Sequence, residues 1–215
     1  MMKTEAQETA KRIFRDGLVA IVPGGYPIAT LLEIGDALLA SPIQAMAVTR
    51  PSTHALDGVN LLRQRFGEHM LIGCDMVTEV EEAGAAVAAG AQFLFTPHLK
   101  AELLRFAAER DVLCLPGVFT RRELLRALAA GCHSVAFYAS DSHGVAHLER
   151  LAHPISPVRI LARGQVGLTN IGDYARAGAA GVGIGAELIL GVDQSMTDLI
   201  LRARQLRKLW EAGLG

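Results

Sequence analysis

"QFLFTPHLKAELLRFAAERDVLCLP", residues 92–116, holds two short apolar runs separated by a longer amphipathic segment. "QFLFT" (92–96) and "VLCLP" (112–116) have the length and composition of buried strands, while the residues between them place their apolar side chains at helical spacing. A strand, a helix and another strand form one βα unit of a parallel sheet. The same alternation runs outward in both directions. Strands are expected at 18–22, 43–49, 70–74, 133–138, 158–162 and 180–185, which makes eight with the two quoted. They recur about every 22 to 27 residues, near the length of one βα unit. Segments such as "TEVEEAGAAVAAG" (78–90) and "RRELLRALAAG" (121–131) close on the glycine favoured just past a helix C-terminus.

Eight such units in 215 residues predict a single α/β domain, a (β/α)8 barrel. An N-terminal helix is expected over 1–16 and a closing C-terminal helix over 193–213. A doubly wound open sheet is the alternative. No linker or low-complexity segment interrupts the series.

Composition agrees with strands covered on both faces: 51% hydrophobic residues, 5% aromatic and 20% charged. A net charge of -1 offers no general basic field for nucleic acid or an anionic membrane. Cys74, Cys114 and Cys132 lack metal-type spacing, and their odd number suggests no disulfide framework, so a reducing cytoplasm is expected. The charged first residues and the lack of a long apolar run predict neither secretion nor a membrane span.

In a barrel, chemistry belongs at the C-terminal strand ends. Those ends carry Thr49 and Arg50, Cys74 and Asp75, Thr96 to Lys100, Gly117 to Thr120, Tyr138 to Asp141, Arg163 and Gly164, and Gly185. Arg50 and Arg163 are anion-binding candidates because a guanidinium fork grips carboxylate or phosphate through two parallel bonds. The competing reading is an internal ion pair, with Asp75 or Asp141 as partner. Asp75, His98 and Asp141 are candidates for proton transfer in an altered chemistry. His143 and His147 share a helix face at a spacing that zinc uses, but no glutamate completes a protease pattern, so a solvated face is the preferred reading and no metal or other cofactor is expected. The three thiols read as buried and inert.

The chain resembles the 2-keto-3-deoxy-6-phosphogluconate and 4-hydroxy-2-oxoglutarate aldolases from about Leu18 to Leu190. "AGAQFLFTPHL" is similar to that family's "AGAQFIVSPGL", and "VLCLPGVFTRREL" to its "IPLIPGVATPSEL". "AMAVTRPS" and "LIGCDMVTE" are similar to "ALEVTLRT" and "IVGAGTVLT". The resemblance implies a barrel, a small anionic keto acid or sugar-acid phosphate as ligand, a homotrimer, and cleavage to pyruvate and an aldehyde through a lysine imine. It places substrate at Thr49, Arg50, Pro97, Phe119, Thr120, Arg163, Gly164 and Gly185.

The departures fall on the chemistry. The family's imine lysine in "LKFFPAE" aligns with Ala136 of "VAFYASD", and the proton-transferring glutamate of "EVTLR" aligns with Ala47. An imine needs a primary amine, which a methyl group cannot replace. "GAGT" becomes "GCDM", so Asp75 and Met76 replace a glycine and the threonine that holds the keto acid; "PTGGI" becomes "ARGQV", introducing Arg163 and Gln165. The chain has four lysines, Lys3, Lys11, Lys100 and Lys208; only Lys100 follows a strand, and it reads as a surface charge rather than a relocated nucleophile. Two expectations remain: an enzyme with altered chemistry on a small anion, or a non-catalytic metabolite-binding or scaffold protein. An open polar mouth would favour the enzyme, and a closed one with paired charges the binding protein.

Overall fold

A computed structural model describes residues 4–51, 54–139, 144–152 and 158–215. The elements follow as α1 (Glu5–Asp16), β1 (Leu18–Pro23), α2 (Ile28–Leu39), β2 (Ala45–Thr49), α3 (Ala55–Phe66), β3 (Leu71–Asp75), α4 (Val80–Ala88) and β4 (Phe93–Thr96). They continue as α5 (Ala101–Glu109), β5 (Leu113–Val118), α6 (Arg121–Ala129), β6 (Ser134–Ala139), α7 (Val145–Ala152), β7 (Arg159–Gly164), α8 (Ile171–Arg176), β8 (Gly181–Ile184) and α9 (Met196–Leu214). All eight expected strands are present, each shifted by no more than two residues at either end.

The strands pair in parallel and in chain order, and β1 closes on β8 through Leu18↔Val182 to Ala20↔Ile184. That closure makes a (β/α)8 barrel and rules out the doubly wound alternative. Among the described residues no helix is long and apolar enough to cross a membrane.

Local signals set the helix ends. The Thr4 side chain accepts from Gln7 N at 3.2 Å and the Gln7 side chain reaches back, so α1 begins on a reciprocal capping box. It stops at Gly17, whose φ of 75° is the left-handed conformation that ends a helix without a Cβ clash. Thr120 begins α6 in the same way, with the Glu123 carboxylate returning to Thr120 N at 2.8 Å.

Side-chain alternation along each strand sorts residues between two cores. Leu18, Ala20, Met46, Val48, Ile72, Cys74, Val135 and Phe137 face the helices. Val19, Ile21, Ala45, Ala47, Leu71, Phe93, Phe95, Leu115, Ala136 and Leu161 fill the barrel, closed below by Ala10 and Ile13 of α1. Small and large residues compensate across this interior. A Cβ on Gly73 would stand 2.4 Å from the Phe93 ring, so glycine there lets that ring cross the barrel. Phe93 meets Phe95 edge-on, centroids 5.6 Å apart.

Candidate functional site in the barrel mouth

Two pairs of registered neighbours face each other across the C-terminal end. Thr49 is level with Asp75 on β2 and β3, and Tyr138 is level with Arg163 on β6 and β7. All four continue the inward-facing parity of their strands, so they form the layer above the apolar filling. Arg163 Nη1 and Nη2 donate to the two Asp75 carboxylate oxygens at 2.6 and 2.7 Å. Thr49 Oγ1 donates to Asp75 Oδ2 at 3.1 Å. The guanidinium lies between two rings, 4.7 Å from the Phe95 centroid and 4.8 Å from that of Tyr138.

This pair is out of water, with side-chain exposures of 7% for Arg163 and 1% for Asp75. Burial works to lower the arginine pKa, but the Asp75 hydrogen bonds and charge outweigh it and hold Arg163 above its ordinary range. Tyr138 is pushed up to about 12, first by burial, with Arg163 opposing. Its Oη is buried and has no hydrogen-bond partner among the described residues. Burial also raises Cys74 to about 12 and raises Cys114 and Cys132; all three are free thiols.

Ala136 and Ala47 lie one pleat below this layer, both fully buried. Ala136 is level with Gly117 and Leu161, and Ala47 with Ile21 and Gly73. Neither position presents a group that ionises.

The rim residues engage the rim itself. Arg50 Nη2 lies 3.5 Å from Glu82 Oε1, and Nη1 donates to Glu82 O at 3.3 Å. Glu82 also accepts from Thr78 and Glu79 at the start of α4, and the Thr78 amide contributes most to lowering its carboxyl pKa. Lys100, half-buried, pairs with the exposed Glu79 at 2.5 Å. His98 is exposed, Pro97 is half-buried, and the His98 carbonyl accepts from Thr96 Oγ1 at 2.9 Å. Phe119 stacks on Phe137 and on His147, centroids 6.2 and 4.9 Å away, on the α7 side of the rim. Gly164 is exposed at φ 101°, where a Cβ would stand 2.5 Å from Ala139 O. Gly185 O accepts from Leu188 N and Ile189 N in the turn after β8.

Thus the structure brings Thr49, Asp75 and Arg163 into contact, turns Arg50 onto Glu82 and Lys100 onto Glu79, and leaves His98 exposed. Asp141 and His143 lie outside the described residues. No group of three His, Cys, Asp or Glu able to hold a metal occurs among the described residues. Sequence reasoning missed Phe95 as the second face of the arginine sandwich. Its signal was available in strand parity, since Phe95 is two residues from the inward-facing Phe93.

A closed parallel barrel with its polar layer at the C-terminal mouth is the layout of enzymes built from βα loops. Comparison with known sequences narrows the class: residues 18–199 match the family described as KDPG and KHG aldolase, and the chain belongs to that family. It is 33% identical over 147 residues to a 2-dehydro-3-deoxy-phosphogluconate aldolase of Pseudomonas aeruginosa, covering 68% of this chain and 66% of that one. A 2-dehydro-3-deoxy-6-phosphogalactonate aldolase of Escherichia coli is 27% identical over 172 residues, 80% of this chain and 83% of its own. The solved native KDPGal structure superposes with a TM-score of 0.85 at 25% identity, covering 92% of this chain and 95% of that one.

Proposed function

We propose that this chain is a member of the family that binds a small anionic keto acid or sugar-acid phosphate without forming an imine or cleaving it. The observation that carries this reading is the Asp75–Arg163 pair above Ala136. Imine formation needs an amine at the bottom of the mouth, and Ala136 offers a methyl group. The guanidinium fork that would receive a keto acid's carboxylate already holds an internal one. Arg163 and Thr49 together also occupy three of roughly four lone-pair sites on the Asp75 carboxylate, which leaves little of it to contact a substrate. Altered chemistry centred on Asp75 is therefore the weaker reading.

An anion then has to be held from above the pair. The exposed Gly164, with the turn at Gly185, is the support for placing a phosphate there. The test has two arms. Incubation with 2-keto-3-deoxy-6-phosphogluconate should release no pyruvate above the uncatalysed rate, and pyruvate with borohydride should leave the protein's mass unchanged. The same sugar-acid phosphate should raise the melting temperature, since a ligand at a hundred times its Kd adds about 2.7 kcal/mol. Pyruvate release would sink the non-catalytic reading, and no melting shift with any sugar-acid phosphate or keto acid would sink the binding one.

A further inference from the structure

The end of the barrel away from the mouth carries a second candidate site. A cleft of about 440 Å3 opens between α1, α5 and the first residues of β5 to β7, within the range of small-molecule sites. Its walls are apolar, formed by Ala10, Leu104, Ala107 and Leu113, and its polar end is His133, Ser134 and Arg159.

Arg159 differs from the arginines of the mouth. Arg163 and Arg50 each have a carboxylate, but no ion pair reaches Arg159 among the described residues. No Asp or Glu lines the cleft. The undescribed residues before β7, 153–157, read "HPISP" and include no acid. The guanidinium instead rests on the Phe14 ring, 4.9 Å from its centroid, which fixes its place beside the cleft without neutralising it. A half-buried cation next to an apolar cleft is complementary to a molecule with an apolar body and one negative end.

We propose that this cleft binds a small amphipathic monocarboxylate, its apolar body between α1 and α5 and its carboxylate on Arg159. Ala10 lies in the cleft wall and also helps close the barrel interior, so the ligand would rest against the helix that seals the barrel floor. The site is separate from the mouth, and the proposal stands or falls independently of the function proposed above.

Calorimetric titration with octanoate, using octan-1-ol as the uncharged counterpart, tests it. Saturable binding at one site is expected, with the alcohol at least tenfold weaker. Arg159→Met preserves a side chain that packs on Phe14 and should weaken octanoate at least tenfold. Ala108→Trp, at an exposed α5 position lining the cleft, should abolish binding while leaving the fold intact by circular dichroism. No saturable binding, equal affinity for acid and alcohol, or octanoate binding that survives either substitution would overturn the proposal.

Discussion

Asp75 at the end of β3 and Arg163 near the end of β7 meet across the barrel through two parallel hydrogen bonds of 2.6 and 2.7 Å. Barrel strands that far apart in order touch only through side chains that reach the axis, so this pair ties opposite walls together just above the apolar filling.

Removing one partner should therefore be costly. Arg163→Met or Asp75→Leu leaves an unpaired buried charge, and each is expected to lower unfolding free energy by about 3 to 5 kcal/mol in urea denaturation. The double variant leaves no charge behind and should lose less than either single variant. Single losses that simply add in the double variant would show that the two residues are energetically independent.

Tyr138 gives a prediction at the alkaline end. Its folded pKa of about 12 lies above the ordinary tyrosine value of 10, so the neutral form is favoured in the native state. Below pH 10 both states hold the proton and this contribution is fully present. As pH rises from 10 to 12 only the unfolded state ionises, and stability falls by an amount on the order of 2 kcal/mol. Tyr138→Phe should flatten that fall relative to the unsubstituted protein. It should also be neutral or stabilising at pH 7, because the Oη it deletes is buried without a partner. A loss above about 1 kcal/mol at pH 7 would show that this hydroxyl is satisfied in solution.

The barrel was legible because its signal repeats: strands such as "QFLFT" and "VLCLP" are short, apolar and evenly spaced, and parallel order follows from the helices between them. The mouth was legible only in part. Sequence placed Arg163 and Asp75 at strand ends but left open whether the arginine faced a ligand or an internal carboxylate. That depends on which strands oppose each other across the axis and how far each side chain reaches. Phe119 shows the same limit from the other side. The resemblance places it among the substrate positions, and in the structure its ring lies on Phe137, an outward-facing residue, and on His147 of α7. Tertiary stacking decided this, and no local pattern encodes it.

Assembly is a separate expectation. Leu125, Leu190, Val192, Leu201 and Leu214 are each more than half exposed, which leaves apolar area on the outer surface for a like copy to cover. Light scattering at micromolar concentration should report a trimer, in line with the resemblance. A monomer would remove the trimer and weaken any scaffold role.

Restoring the lysine tests whether the mouth or the missing amine is the greater obstacle. Ala136 has no exposure and sits beneath the Asp75–Arg163 pair, so Ala136→Lys forces four extra side-chain atoms beyond the methyl and a possible charge into a filled interior. Overpacking alone is expected to cost about 1 to 3 kcal/mol. Arg163 above would favour the neutral amine, the nucleophilic form, but pyruvate has to pass the ion pair to reach it. The single variant should therefore melt lower and trap little pyruvate under borohydride. Adding Ala47→Glu supplies a proton-transfer group and should yield at most a trace of turnover. Adding Asp75→Gly and Arg163→Thr as well removes the pair and returns those positions to the family's residues, and this variant should give a stoichiometric adduct at residue 136. Equal trapping by the single and the fully opened variants would show that the ion pair does not close the mouth. An adduct on Lys100 of the unsubstituted protein would show that the amine had moved to the loop after β4.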